Sequence, residues 1–248
     1  MKKKLVTGAL LCAFGAVAVT GGTLAYFTDT DDADNIFTVG SVAIELVEQQ
    51  RNDDGSALEA FEQNKVLMPI VGSAQGTSEE VGGVAGLPTA ANYVDKIITV
   101  NNTGKSPAYV RVFLAIPVVL DNVGDASQNV LHFNWNPASS AKGEWLAEEC
   151  TAQNVTVDGV QCNVYSRIYA TPVPAGKATN TPAYIGFYLD KNVDMNAEGQ
   201  YTINGKVIDM DLANGVTIPV FAQAIQADGF DTAEAAFTAS ELTVNPWA

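Results

Sequence analysis

The sequence predicts an all-β protein, a sandwich or barrel of antiparallel strands with one or two short helices. Many short runs alternate apolar and polar residues with period two, and turn signals separate them. Asp158-Gly159 and Asn204-Gly205 each sit between strand-forming runs, the signature of two-residue hairpins. Helical period is confined to a few short stretches, the clearest near the C-terminus.

Phe37 to Glu48 reads as the first strand region, with Val42, Ile44 and Leu46 on one face. Gly40 interrupts it and predicts a bulge or a close backbone approach. Gln49 to Asn92 is the least regular part. Asp53-Asp54-Gly55 marks a turn, Ala57 to Glu62 suits a short helix, and Gly72 to Gly86 reads as a long loop. Tyr93 to Thr103 is a strand with Ile98 and Val100 inward, followed by the turn Asn102 to Lys105. Pro107 to Leu120 is apolar on both faces, which predicts a central strand ending or bulging at Pro117.

Asp121 to Glu149 is polar and loop-like, and holds His132, Trp135 and Trp145. The Asp158-Gly159 hairpin continues as a strand to Tyr169. Thr181 to Leu189 is another strand, Tyr201 to Ile208 the second hairpin, and Val216 to Ala227 the last strand. Asp231 with Glu234 forms a capping box that opens a helix over Thr232 to Ala239. The tally is eight or nine strands.

The N-terminus follows different rules. Lys2, Lys3 and Lys4 precede the apolar run Leu5 to Val19, and Thr23 and Ala25 are small residues at −3 and −1 of a cut between Ala25 and Tyr26. Together these describe a secretory signal peptide. The run is short for a bilayer, which takes about 20 residues. The expected organisation is a signal peptide at 1–25, an extended segment at 26–35 and a β domain at 36–248. Cleavage leaves ten basic and 28 acidic residues, a net charge of −18. Such a chain repels nucleic acid and anionic lipid. With no second long apolar segment, no stable membrane insertion is expected after cleavage. Cys150 and Cys162 form an even pair in an oxidising compartment and are a candidate disulfide, with two unpaired thiols the alternative.

Four motifs carry a family resemblance. They are Gly-Gly-Thr-Leu-Ala-Tyr-Phe-Thr-Asp at 21–29, Phe37-Thr38-Val39-Gly40 leading into Val42 to Leu46, Asn101-Asn102-Thr103-Gly104 before Ala108 to Val112, and Ala222 to Ala227 before the acidic helix. Together they resemble the TasA and camelysin family of exported Gram-positive proteins. The resemblance implies a jelly-roll β-sandwich and a leader removed by a dedicated signal peptidase. It implies a protein of the extracellular matrix or cell surface that assembles as a homo-oligomeric fibre. The mature N-terminal segment of one subunit would complete the sheet of its neighbour, with Tyr26, Phe27, Thr28 and Asp29 as the donated strand. The alternative for Tyr26 to Asn35 is a solvated acidic tail.

Other chemistry has less support in the residues. Some members of the family are described as metalloproteases, but the chain has one histidine, His132, and no His-Glu-x-x-His motif. No catalytic residue, metal ligand or cofactor is assigned, and local packing accounts for His132 beside Phe133 and Trp135. Asp29, Asp31, Asp32 and Asp34 cluster, and Asp190, Asn192, Asp194 and Asn196 alternate like the start of a calcium loop. Met195 and Tyr201 stand where that loop needs Gly and Glu. Tyr165, Tyr169, Tyr184 and Tyr188 could form a glycan platform or pack across strands. Arg111, mid-strand, predicts an exposed face, an ion pair or a subunit contact.

Overall fold

The computed structural model describes residues 28–31, 42–134, 144–147, 149–210, 212, 216–240, 242 and 245–247. The first eight strands are β1 (Thr28–Asp31), β2 (Ile44–Arg51), β3 (Leu58–Ala60), β4 (Glu80–Val81), β5 (Val84–Ala85), β6 (Val94–Asn102), β7 (Ala108–Pro117) and β8 (Leu131–Asn134). They are followed by β9 (Glu149–Val157), β10 (Val160–Ile168), β11 (Lys177–Ala178), β12 (Tyr184–Leu189), β13 (Val193–Met195), β14 (Tyr201–Ile203), β15 (Lys206–Val207) and β16 (Val220–Gln226). One α-helix is described, α1 (Ala233–Ala239).

Two antiparallel sheets make the sandwich. One has the order β1-β16-β7-β10-β9, the other β3-β2-β6-β12-β8 with β11 also on β6. β7 is buried along its whole length, as its two apolar faces predict. Its Val110, Val112, Leu114 and Ile116 enter the main core with Ala222 and Ala224 of β16 and Ile98, Val100, Leu131 and Tyr184 of the second sheet. Each such aliphatic side chain contributes about 1.5–3 kcal/mol by leaving water. The other face of β7 and β16 is covered by α1, where Tyr109 and Ile225 meet Ala233, Ala236 and Phe237.

Both hairpins form as the turn residues dictate. Asp158 and Gly159 have φ of 48° and 84°, and Asn204 and Gly205 have 49° and 78°, the all-positive pattern of a type I′ turn. Several local readings are corrected by non-local pairing. Residues 58–60 of the expected helix are strand β3, held on β2 with Gln50 Nε2 donating to Glu59 Oε1 at 2.9 Å. The Gly72–Gly86 stretch contains the small hairpin β4–β5. Val84 and Leu87 cover Ile97 and Ile185 on the outer face of the six-stranded sheet. β8 lies within the stretch read as polar loop, paired with β12. The helix cap is Thr232, whose side chain accepts from the Ala235 N–H, not Asp231.

The expected disulfide is not formed. β9 and β10 are neighbours, but Cys150 lies opposite Tyr165 and Cys162 opposite Val155. Three residues along β10 separate Cys162 from the partner of Cys150, roughly 10 Å of strand. A disulfide needs Cα atoms within about 7 Å.

The strand directions give the sandwich two ends. At one end lie Asn102, Ala108, Lys177, the start of β2 and the end of β16. At the other lie Pro117, Cys162, the Asp158-Gly159 turn and the start of β6.

Candidate functional site

The N-terminal segment meets the folded domain at the outer edge of β16. That strand alternates: Ala222 and Ala224 face the main core, while Ile225 packs toward α1. Its inner edge is paired with β7 from Val220↔Leu114 to Gln226↔Ala108. Its outer edge is paired with β1, antiparallel, in the register Thr28↔Ile225, Asp29↔Ala224, Thr30↔Gln223 and Asp31↔Ala222. Main-chain N–H and C=O groups that would stand open along the sheet edge are thereby satisfied within the same chain.

Buried polar groups fasten the acceptor strand from below. Gln223 is buried and its Oε1 accepts from Arg111 Nη2 at 2.6 Å. The Arg111 guanidinium lies 4.7 Å above the Phe113 ring and 4.5 Å from that of Phe237 on α1. Burial lowers the Arg111 pKa to about 10. Strand β16, strand β7 and helix α1 are thus joined through one cation. Of the readings open for Arg111, an exposed face is excluded.

Of the predicted segment, Thr28 and Asp29 are in β1. Ala25, Tyr26 and Phe27 lie outside the described residues, as do Asp32 and Asp34 of the acidic cluster and Trp135.

The remaining candidates disperse. His132 Nε2 is 3.1 Å from Asp190 Oδ2, and its ring stacks on Tyr188 at 5.0 Å. Asp190 Oδ1 also accepts from the backbone and side-chain N–H of Asn192, Asp194 accepts from the Met195 N–H, and Asn196 Oδ1 accepts from the N–H groups of Glu198 and Gln200. These carboxylates and amides brace turns. Among the described residues no three metal-ligating side chains converge. The four tyrosines form no surface platform: Tyr169 and Tyr184 are buried, and Tyr165 packs on Phe133 while its hydroxyl donates to Asp121.

Sequence reasoning missed two buried polar centres. Arg167 is 2% exposed and donates to the carbonyls of Leu146, Ala183 and Trp145. Asp121 is 7% exposed, and its Oδ2 accepts from Asn163 Nδ2 at 2.8 Å and the Tyr165 hydroxyl at 2.7 Å. Arg167 lies in a strand between Tyr165 and Tyr169 on the same face, which signals burial without naming the acceptors. Nothing local marks Asp121.

No helix among the described residues is long and apolar enough to cross a membrane. Residues 1–51 match the family described as camelysin metallo-endopeptidase. The match ends with β2, and agrees with the resemblance carried by the N-terminal motifs. No curated protein and no solved structure matches the chain.

Proposed function

We propose that this chain is an exported structural protein of the cell surface or extracellular matrix, and that it polymerises by exchange of its N-terminal strand. Strand β1, Thr28–Asp31, leaves the β16 edge of its own domain, and the segment Tyr26 to Asn35 that contains it is donated to β16 of the next copy. The observation that carries this reading is the antiparallel pairing of Thr28–Asp31 with the outer edge of β16. The pairing is made by main chain, so a second copy offers the same bonds to the same strand. Residues 32–41 connect β1 to the domain. Ten extended residues reach about 33–36 Å, enough to cross to a neighbour. Exchange of an identical element costs little, because the bonds made equal the bonds broken. A leader still attached at Ala25 tethers the donor, so processing releases assembly.

The name of the matched family raises a metallopeptidase as the rival. The matched span contains no histidine. His132, outside it, is engaged by Asp190 and Tyr188. A structural role fits these residues better than a zinc site, which takes three protein ligands and an open position.

Electron microscopy tests the reading. The chain beginning at Tyr26 is expected to form fibres, and a chain beginning at Phe37 to remain monomeric. Fibres from both, or from neither, would overturn strand exchange. Chelator-sensitive cleavage of a protein substrate by the purified chain would overturn the structural role.

A further inference from the structure

Three segments at the Pro117 end of the sandwich surround a polar cavity of about 510 Å³, within the range of about 300–1,000 Å³ typical of small-molecule sites. They are the residues that follow β7, the middle of β9, and the β14–β15 hairpin. The ends of a rigid sandwich are where such folds carry recognition.

The β9 wall is built by a bulge. Between the pairs Cys162↔Val155 and Val164↔Ala152, β10 advances two residues and β9 three. The extra residue falls at Gln153–Asn154, and Asn154 takes a left-handed φ of 55°, which asparagine tolerates better than most residues. In a regular strand neighbours point to opposite faces, so one of these two would turn away from the cavity. Here both line it. Bulges re-aim side chains in this way beside functional sites. The bulge is held from beneath. The Asn154 N–H donates to Asn163 Oδ1 at 3.4 Å, and Asn163 Nδ2 donates to Asp121 Oδ2 at 2.8 Å. Asn163 and Asp121 are buried, and act on the cavity only by positioning that wall.

The walls present mainly amides. The side chains of Gln128, Gln153 and Asn154 are exposed and have no hydrogen-bond partner among the described residues. Asn122 Oδ1 accepts from the N–H groups of Gly124 and Asp125, which leaves the Asn122 amide N–H groups to donate elsewhere. Each amide places an acceptor and two donors at one point. Lys206 and Asp209 on the hairpin wall cancel in charge, and the exposed Val119, Val123 and Val207 add apolar surface. This combination matches an uncharged polyhydroxylated ligand, whose hydroxyls both donate and accept and whose C–H faces lie on the valines. Other classes fit worse. The net charge of −18 over residues 26–248 repels nucleic acid and acidic polymers. Calcium takes about six to eight oxygen ligands, and Asp209 is the one exposed carboxylate among the lining residues.

We propose that this cavity binds a neutral polysaccharide, with Gln128, Gln153 and Asn154 as its ligand-contacting amides. β9 lies at the edge of the five-stranded sheet opposite to β16 and β1. A glycan held there does not compete with a strand at β16, so one subunit can engage both. The site is independent of strand exchange.

Saturation-transfer NMR on the chain beginning at Tyr26 tests this, with cellohexaose, maltohexaose and chitohexaose as neutral probes and hexagalacturonic acid as the acidic one. The method observes the small ligand, so it reads binding whether or not the protein has polymerised. Transfer to a neutral probe is expected, and none to the acidic one. Gln128→Ala/Gln153→Ala/Asn154→Gly removes the amides, with glycine keeping the left-handed backbone at 154. It is expected to keep the wild-type circular dichroism and to weaken binding by about tenfold or more, since each lost hydrogen bond weakens an interaction by about two- to tenfold. If that variant does not fold, Gln128→Ala decides alone, with an expected loss of about twofold or more. No transfer to any neutral probe overturns the proposal, as does a variant that binds like wild type. Transfer to hexagalacturonic acid alone also overturns it, and binding that requires added calcium gives the cavity to a metal ion instead. Fibre growth is scored separately, so failure here leaves strand exchange standing.

Discussion

Gly186→Ala is expected to be among the most damaging single-methyl changes in the protein. Gly186 lies in β12, between β6 and β8, opposite Asp95 on one side and Asn134 on the other. The β6–β12 register slips just before it, between Tyr184 and Gly186. A Cβ built there collides with the Val94 carbonyl oxygen and lies 2.6 Å from Tyr93 Cε1 and 2.7 Å from the Tyr93 hydroxyl. Ordinary contact begins at 3.4 Å, so Tyr93 must retreat by 0.8 Å and the backbone of β6 must also move. Tyr93 has little freedom to do so, because its ring is 6.0 Å from that of Tyr188, which stacks on His132. Overpacking costs about 1–3 kcal/mol, and the upper part applies where backbone must shift. A ladder hydrogen bond stretched or lost adds about 0.5–1.5 kcal/mol. The expected loss is about 3 kcal/mol, a fall in Tm of about 6–12 °C for a chain of this size. Calorimetry and urea unfolding measure it. Gly124→Ala is the control, since its Cβ would meet only Asn122 Oδ1 at 3.6 Å and its φ is not in the left-handed region. That change should be neutral or raise stability by about 0.4–1 kcal/mol. If Gly186→Ala matches the control, the close packing of β12 on Tyr93 and Val94 is refuted.

Three further outcomes are expected. Thr232→Ala should cost about 1 kcal/mol in urea unfolding by removing the cap of α1, while Asp231→Ala should cost much less. Arg167→Met should cost about 3 kcal/mol or more, because it strands three inward carbonyls that the guanidinium now satisfies. Burial, aided by the charge of Asp158, pushes the Cys162 thiol up to about 11. The folded state therefore holds that proton more tightly than the unfolded chain, whose thiols titrate near 8.5. The stability this contributes is complete below about pH 8.5 and is lost as pH rises through about 11. Iodoacetamide labelling of Cys162 in the native chain should accelerate only toward pH 11, and Cys162→Ala should make the alkaline loss of stability shallower. Labelling with a midpoint near pH 8.5 would refute the burial.

What could be read in the sequence was what neighbours along the chain decide. β7 is apolar on both faces, so its central place follows from composition alone. Asp158-Gly159 and Asn204-Gly205 set two hairpins because few other pairs take positive φ twice in succession. Partners far apart in the chain left no such mark. Residues 58–60 became strand because β2 offered an edge, and the cysteines missed one another because the register of β9 on β10 is set by a turn and a bulge. The same limit applied to the site. An extended segment at Thr28–Asp31 was legible, but its acceptor lies almost 200 residues away. The structure supplies the reason β16 takes it. β3 and β8 present only three and four residues of edge, and β9, although long, is broken by register slips near Asn154, whose φ is 55°. Short or bulged edges resist pairing. β16 is seven residues long and continuously paired with β7 along its inner edge. It is the regular edge that must be covered, and Thr28–Asp31 of the same chain covers it.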